Sequence, residues 1–230
     1  MFKNKRKRIG LVSCPMGKAN IQPFVSLINI LSNINSDNAV IAILDKNVSI
    51  NNILNNDNEI FSIIIHESGV NNFSRIKNYI KTQIIVSSKI VRNNDVTIWF
   101  FYIDNGLILP IIISKVLHKK TIILLGGSLE REVLLKKKYI EKLSLILAKI
   151  NRFFCNSIIL YSPLLISDWK LEPYRHKIII AGEHFIDFTT FTVTTPYIGR
   201  PPLIGYIGRL SLEKGVQQFV KALPSILSER

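Results

Sequence analysis

Residues 203–223 read LIGYIGRLSLEKGVQQFVKAL. An apolar run, Leu203, Ile204, Tyr206 and Ile207, ends at Gly208-Arg209. A short polar turn over 210–213 follows. Lys214-Gly215 then opens a segment with Val216, Phe219, Val220 and Leu223 at helical spacing. The pattern is a strand, a glycine-bearing turn and a helix. A helix start offers N–H groups without intrahelical partners and a partial positive charge, so this turn, with Arg209 and Lys214 beside it, suits a phosphate. An ordinary strand-to-helix turn with solvated cations fits the same residues, and the pattern alone leaves both readings open.

Strand-length apolar runs recur upstream, at 9–13, 39–44, 60–65, 96–102, 121–125, 157–161 and 177–181. The segments between them are longer, and several carry helical spacing, as in Phe24, Leu27, Ile28, Leu31 and Ile34. Continuous β-branched runs separated by helices imply a parallel sheet covered on both faces. The expected fold is therefore α/β, a doubly wound, Rossmann-like parallel sheet. Its ligands should bind at the carboxyl ends of the strands, near a reversal in strand order. The Asn-rich segment 45–58 reads as a loop or a poorly formed helix. Prolines at 196, 201 and 202 break regular structure and mark a linker.

The segment from Ile207 to Gly215 resembles the "GRL…EKG" signature that opens the second domain of GT-B glycosyltransferases, in particular the glycogen-synthase-like group known as family 4. The resemblance implies that Arg209 and Lys214 grip the diphosphate of a nucleotide-sugar donor. It also implies a domain plan. Residues 1–195 would form the N-terminal, acceptor-side domain and 196–202 a linker. Residues 203–230 would form the first strand-helix unit of a truncated donor domain, far short of the ~150 residues of a typical domain. On this expectation the rest of the donor domain is encoded separately or lost, and the chain by itself turns over little or no nucleotide-sugar.

Composition sets wider bounds. The chain has 230 residues, 47% of them hydrophobic and 20% charged, enough to bury a core. Its formal net charge is +14, which favours anionic partners such as acidic lipid or phosphorylated small molecules. No aromatic platform or recognised nucleic-acid motif accompanies the charge, which argues against nucleic acid. Cys14 and Cys155 lie far apart without metal or redox spacing and read as buried thiols of a reducing compartment. The basic N-terminus is not followed by a signal-peptide core, and Asp104, Asn105 and Pro110 interrupt the longest apolar stretch. The expected location is cytoplasmic, with peripheral attachment to the inner face of the membrane as an extension.

The strand ends carry the remaining candidates. Gly17-Lys18 after the first strand fails as a P-loop, because six residues separate Gly10 from Gly17 and Ala19 replaces the Ser or Thr that binds magnesium. The resemblance places Gly17 in a cleft-facing loop. Gly126-Gly127, at the end of the 121–125 run, allows close backbone approach to a ligand or a tight turn. Many family members place a His here, and this chain has none. Asp187 and Phe191 match a later loop of the family. Residues 129–154 read as a long amphipathic helix in which Lys138, Lys142 and Lys149 form part of a basic face. That face is either solvated or laid on an anionic membrane. His184 beside Glu183, and His66 beside Glu67, lack the third ligand and spacing of a zinc site.

No Asp-x-Asp occurs in the chain, and the GT-B type does not need the metal that motif holds. No cofactor is expected beyond the nucleotide-sugar as donor substrate, and no metal. The reading is a retaining, metal-independent transferase acting on an acceptor that is lipid-linked or a cell-surface glycan precursor. The alternative is a non-catalytic module that docks on an anionic membrane or a partner subunit.

Overall fold

A computed structural model describes residues 8–17, 20–34, 37–48, 61–103, 106–126, 139–182, 192–201, 203–208, 210 and 214–228. The chain forms two compact units, Met1–Glu183 and His184–Arg230. The first is built on strands β1 (Arg8–Met16), β2 (Ala39–Asp45), β3 (Phe61–His66), β4 (Val96–Tyr102), β5 (Lys120–Leu124), β6 (Ser157–Leu160) and β7 (Ile178–Ile180). Between them run helices α1 (Ile21–Ile34), α2 (Asn72–Arg92), α3 (Ile108–Val116), α4 (Tyr139–Phe154) and α5 (Leu164–Asp168). All seven apolar runs of the first unit are strands, and they pair in parallel in the order β3-β2-β1-β4-β5-β6-β7.

Alternation along each strand feeds two cores. Ile41, Ile43, Val12, Trp99 and Phe101 pack with Val86 and Ile90 of α2 and Ile111 of α3. Val40, Ala42, Leu44 and Leu11 pack on the opposite face with Phe24, Ile28 and Leu31 of α1. Cys14 belongs to the α1 side and Cys155 to the α2–α3 side, both buried. Both faces are therefore covered, which is why the strands read as unbroken apolar runs rather than alternating ones.

β1 lies inside the sheet yet contains Pro15, which has no N–H for a ladder. The chain accommodates it with a bulge, since the β1–β2 register shifts between Val12 and Pro15. The Ser13 hydroxyl accepts the Ile43 N–H at 2.7 Å, keeping that donor satisfied inside the core. On its other edge β1 meets β4 with Gly10 opposite Trp99. A Cβ at Gly10 would stand 2.2 Å from the Trp99 ring, so only glycine fits under the indole.

The carboxyl end of α4 is held by cations. Lys177 Nζ donates to the carbonyls of Phe153 at 2.7 Å and Cys155 at 3.0 Å, and Lys115 Nζ donates to Phe154 O at 3.2 Å. These groups satisfy the last carbonyls of the helix and oppose its negative end. At the amino end of β1, Arg8 reaches Asp37 and Asp95.

In the second unit, α6 (Val216–Ser228) starts after Gly215, which takes the left-handed φ of 69°. The Tyr206 ring meets Phe219 at 5.7 Å between centroids. The apolar run 203–207 pairs with no strand among the described residues. A lone strand gains no ladder, so hydrophobicity by itself does not make one. Among the described residues no helix is long and apolar enough to cross a membrane.

Two outcomes follow for stability. Gly10→Ala should lower the unfolding free energy by about 1–3 kcal/mol through overpacking, read as a drop in urea midpoint. The cost should shrink in a Trp99→Leu background, because the two side chains compete for one volume. Lys177→Met, which removes the cation capping α4, should cost about 1 kcal/mol in the same measurement.

Candidate functional site

Strand order reverses between β1 and β4: β2 and β3 continue the sheet on one side of β1, and the chain then returns to lay β4 on the other. Ligand crevices form at the carboxyl ends of the strands at such a reversal. The loops after β1, β4, β5 and β6 therefore define the candidate site.

After β1, Gly17 turns the chain toward α1, its carbonyl accepting the Asn20 N–H at 3.1 Å. A Cβ at Gly17 would lie 3.8 Å from Asp45 Oδ2, an ordinary contact, so this glycine is not forced by packing. After β4, Ile103 holds a left-handed φ of 55°, a costly state for a β-branched residue. Its N–H still donates to Leu124 O at 2.9 Å, which fixes it to the end of β5.

Gly106 follows at φ 80°, and its carbonyl accepts from the Tyr79 hydroxyl and from Gln83 Nε2, the latter at 2.9 Å. Gln83 Oε1 in turn accepts the Leu109 N–H at 3.1 Å. Two side chains of α2 thus clamp the loop that enters α3. After β5, a Cβ on Gly126 would meet Ile103 Cγ1 at 3.2 Å and the Tyr161 hydroxyl at 3.5 Å. The ends of β4, β5 and β6 converge on this glycine, and a larger residue would press on both neighbours.

On the β2–β3 side, Asp45 and His66 are register partners at the last positions of their strands. His66 Nδ1 lies 2.9 Å from Thr82 Oγ1, and the Thr82 hydroxyl donates to Asn78 O at 2.9 Å. With its own hydrogen committed there, Thr82 accepts from Nδ1–H, which leaves the acceptor lone pair of the neutral ring on Nε2. Burial pushes the His66 pKa below 6.5, and the Asp45 charge opposes that shift. Just outside, Lys46 Nζ pairs with Glu67 Oε1 at 2.9 Å, and this hydrogen bond and charge hold the exposed Glu67 carboxyl below its usual range. No group of three metal-ligating side chains occurs among the described residues.

The sheet brings Gly17 and Gly126 to the same carboxyl edge. Lys214 stands exposed just before α6 in the second unit and forms no ion pair among the described residues. Lys149 is exposed on α4, its carbonyl accepting from the Tyr174 hydroxyl at 3.4 Å. Arg209, Gly127, Asp187 and Lys138 lie outside the described residues, as does the side chain of Lys142. Asp45, Thr82 and Ile103 are site residues that sequence reading did not single out. The available signal was a carboxylate closing an otherwise apolar run at Asp45.

No protein-family model matches the chain, and no curated protein matches it by sequence. Solved structures do match. HepE from Anabaena, in complex with UDP and glucose, is 12% identical, with a TM-score of 0.52 over 78% of this chain and 45% of that one. A putative UDP-N-acetylglucosamine 2-epimerase from Listeria monocytogenes is 8% identical, with a TM-score of 0.56 over 76% of this chain and 45% of that one. The first unit is a Rossmann-like domain. LpCGTa in complex with UDP is similar again, 10% identical with a TM-score of 0.51 over 76% of this chain and 52% of that one. Identities this low carry the Rossmann-like fold and nothing finer. The chain spans about half the length of these neighbours.

The pKa direction of His66 gives a test. Asp45→Asn removes the contribution that raises it, so His66 should titrate further below 6.5 in the variant, read from imidazole C–H shifts by NMR. A folded pKa below the unfolded value of about 6.5 means the unfolded chain binds the proton first. The stability His66 contributes is therefore complete above that pH and lost as pH falls through it, more so in Asp45→Asn.

Proposed function

We propose that this chain is part of a nucleotide-sugar-dependent glycosyltransferase of the GT-B type, with the Rossmann-like sheet on the acceptor side. What supports the reading is the gathering of Gly17, Ile103, Gly106 and Gly126 at the carboxyl edge of a doubly wound sheet. Solved proteins with the same fold include two described in complex with UDP. The finer reading, a retaining, metal-independent enzyme of the glycogen-synthase-like group, rests on the segment from Ile207 to Gly215.

In this reading Arg209 and Lys214 hold the donor diphosphate at the start of α6. Their charge stabilises the nucleoside diphosphate as it departs and the glycosyl bond breaks. The Asp45 carboxylate beside Gly17 suits an acceptor hydroxyl, whose proton it can accept. Gly126, where a relative would place a His, leaves the backbone to approach the sugar.

Calorimetric titration of UDP, GDP and ADP into the chain tests the assignment. One nucleotide should bind, unchanged by EDTA, and Arg209→Ala with Lys214→Ala should weaken it by tenfold or more, the scale of a lost charge-assisted hydrogen bond. Binding that ignores both substitutions, or that requires a divalent ion, overturns the diphosphate role.

A further inference from the structure

Asp45 and His66 close adjacent strands in register, and neighbouring strands lie about 4.8 Å apart. Ile41, Ile43 and Ile64 face the α2 core, so by the period of two both side chains leave the sheet on that same face. Each is half-buried, within reach of solvent at the carboxyl edge. Thr82, buried on α2, takes the Nδ1 proton of His66. The two ring nitrogens point apart, so Nε2 is turned away from Thr82 with its lone pair, and no donor reaches it among the described residues.

The Asp45 carboxylate is in the same condition. It takes part in none of the ion pairs among the described residues. Lys46, the neighbouring cation, is bound to Glu67, and the charge of Lys81 on α2 is felt at that same Glu67 carboxylate. The polar side chains of α2 near this edge are engaged too, Asn78 with the Glu67 carbonyl and Tyr79 with that of Gly106. What is left is a pair of acceptors, one anionic and one neutral, side by side.

Such a pair selects its ligand. A hydroxyl brings one hydrogen and two lone pairs of its own, whereas an ammonium brings hydrogens only and balances the charge of the carboxylate. We propose that Asp45 and His66 bind the ammonium group of an amino sugar. His66 Nε2 and one carboxylate oxygen accept its N–H groups, and the other oxygen accepts the hydroxyl on the adjacent carbon. The substrate class is thus a sugar whose amine stands next to the accepting hydroxyl. Thr82 is a positioning residue, acting only through the ring by holding the proton on Nδ1. The inference rests on the reading of this edge as the acceptor side, but its test uses no nucleotide. Protonating His66 replaces the Nε2 lone pair with an N–H and adds a positive charge, so the subsite should release an ammonium in acid.

The test is titration of the whole chain with glucosamine hydrochloride, followed by the imidazole resonances of His66 in NMR, with glucose and N-acetylglucosamine as controls at matched chloride. Glucosamine should shift the resonances saturably, and each control should bind at least tenfold more weakly. Asp45→Asn should weaken glucosamine by tenfold or more, the scale of a lost charge-assisted hydrogen bond. Thr82→Val should weaken it severalfold and change the nitrogen shifts that report the tautomer, with urea midpoints showing that both variants fold. As pH is lowered from neutral through the His66 pKa, which lies below 6.5, the amine stays protonated and binding should fall away. Shifts that glucose reproduces, glucosamine binding that survives Asp45→Asn, affinity that rises in acid, or no His66 shift at all would each overturn the assignment. Nucleotide binding without a glucosamine shift sinks this inference alone, whereas glucosamine binding without any nucleotide sinks the transferase reading and leaves the amine subsite standing.

Discussion

The site depends on how closely β1 can lie against β4, and that distance is set by Gly10 beneath Trp99. The indole fills the volume any side chain at residue 10 would need. Trp99 is fully buried and its ring nitrogen has no hydrogen-bond partner among the described residues, so it serves here as packing volume. The same strand carries the Ser13–Pro15 irregularity on its opposite edge, where a serine hydroxyl replaces a missing ladder contact. Both devices act on the strand at which the chain reverses its progress across the sheet. The crevice is therefore a consequence of β1 more than of the loops above it.

The sheet was legible because its strands are buried on both faces and so appear as unbroken runs of β-branched residues. Ends differed by one to three residues, as at Arg8 and Met16, where polar or sulfur-bearing positions continue the strand beyond the apolar run. The clamp on Gly106 was not legible. Tyr79 and Gln83 reach it from a preceding helix, and no local period encodes a contact made across the turn of a fold. His66 illustrates the same limit. Tests for metal spacing look along the chain, whereas its partners Thr82 and Asp45 come from a helix and a neighbouring strand. The run 203–207 shows the converse, since apolar content is local while strand pairing needs a neighbour.

A net charge of +14 is a sum over cations with different work. Lys177 and Lys115 close the end of α4, Arg8 ties two aspartates to the base of β1, and Lys119 bonds the Asn94 carbonyl. Those groups are committed to the fold. The cations along α2 are not, and only such a remainder can act on a partner. Sorting charges by what they already touch gives the excess a location, which the total cannot.

Cys14 and Cys155 sit in different cores, one beneath α1 and the other beneath the layer of α2 and α3. A thiol reagent reaches either sulfur only when its own layer lifts, because each residue is about 1% exposed. The two labelling rates thus act as separate clocks for the two sides of the sheet. Their ratio reports whether the molecule breathes as one body or sheds one layer before the other.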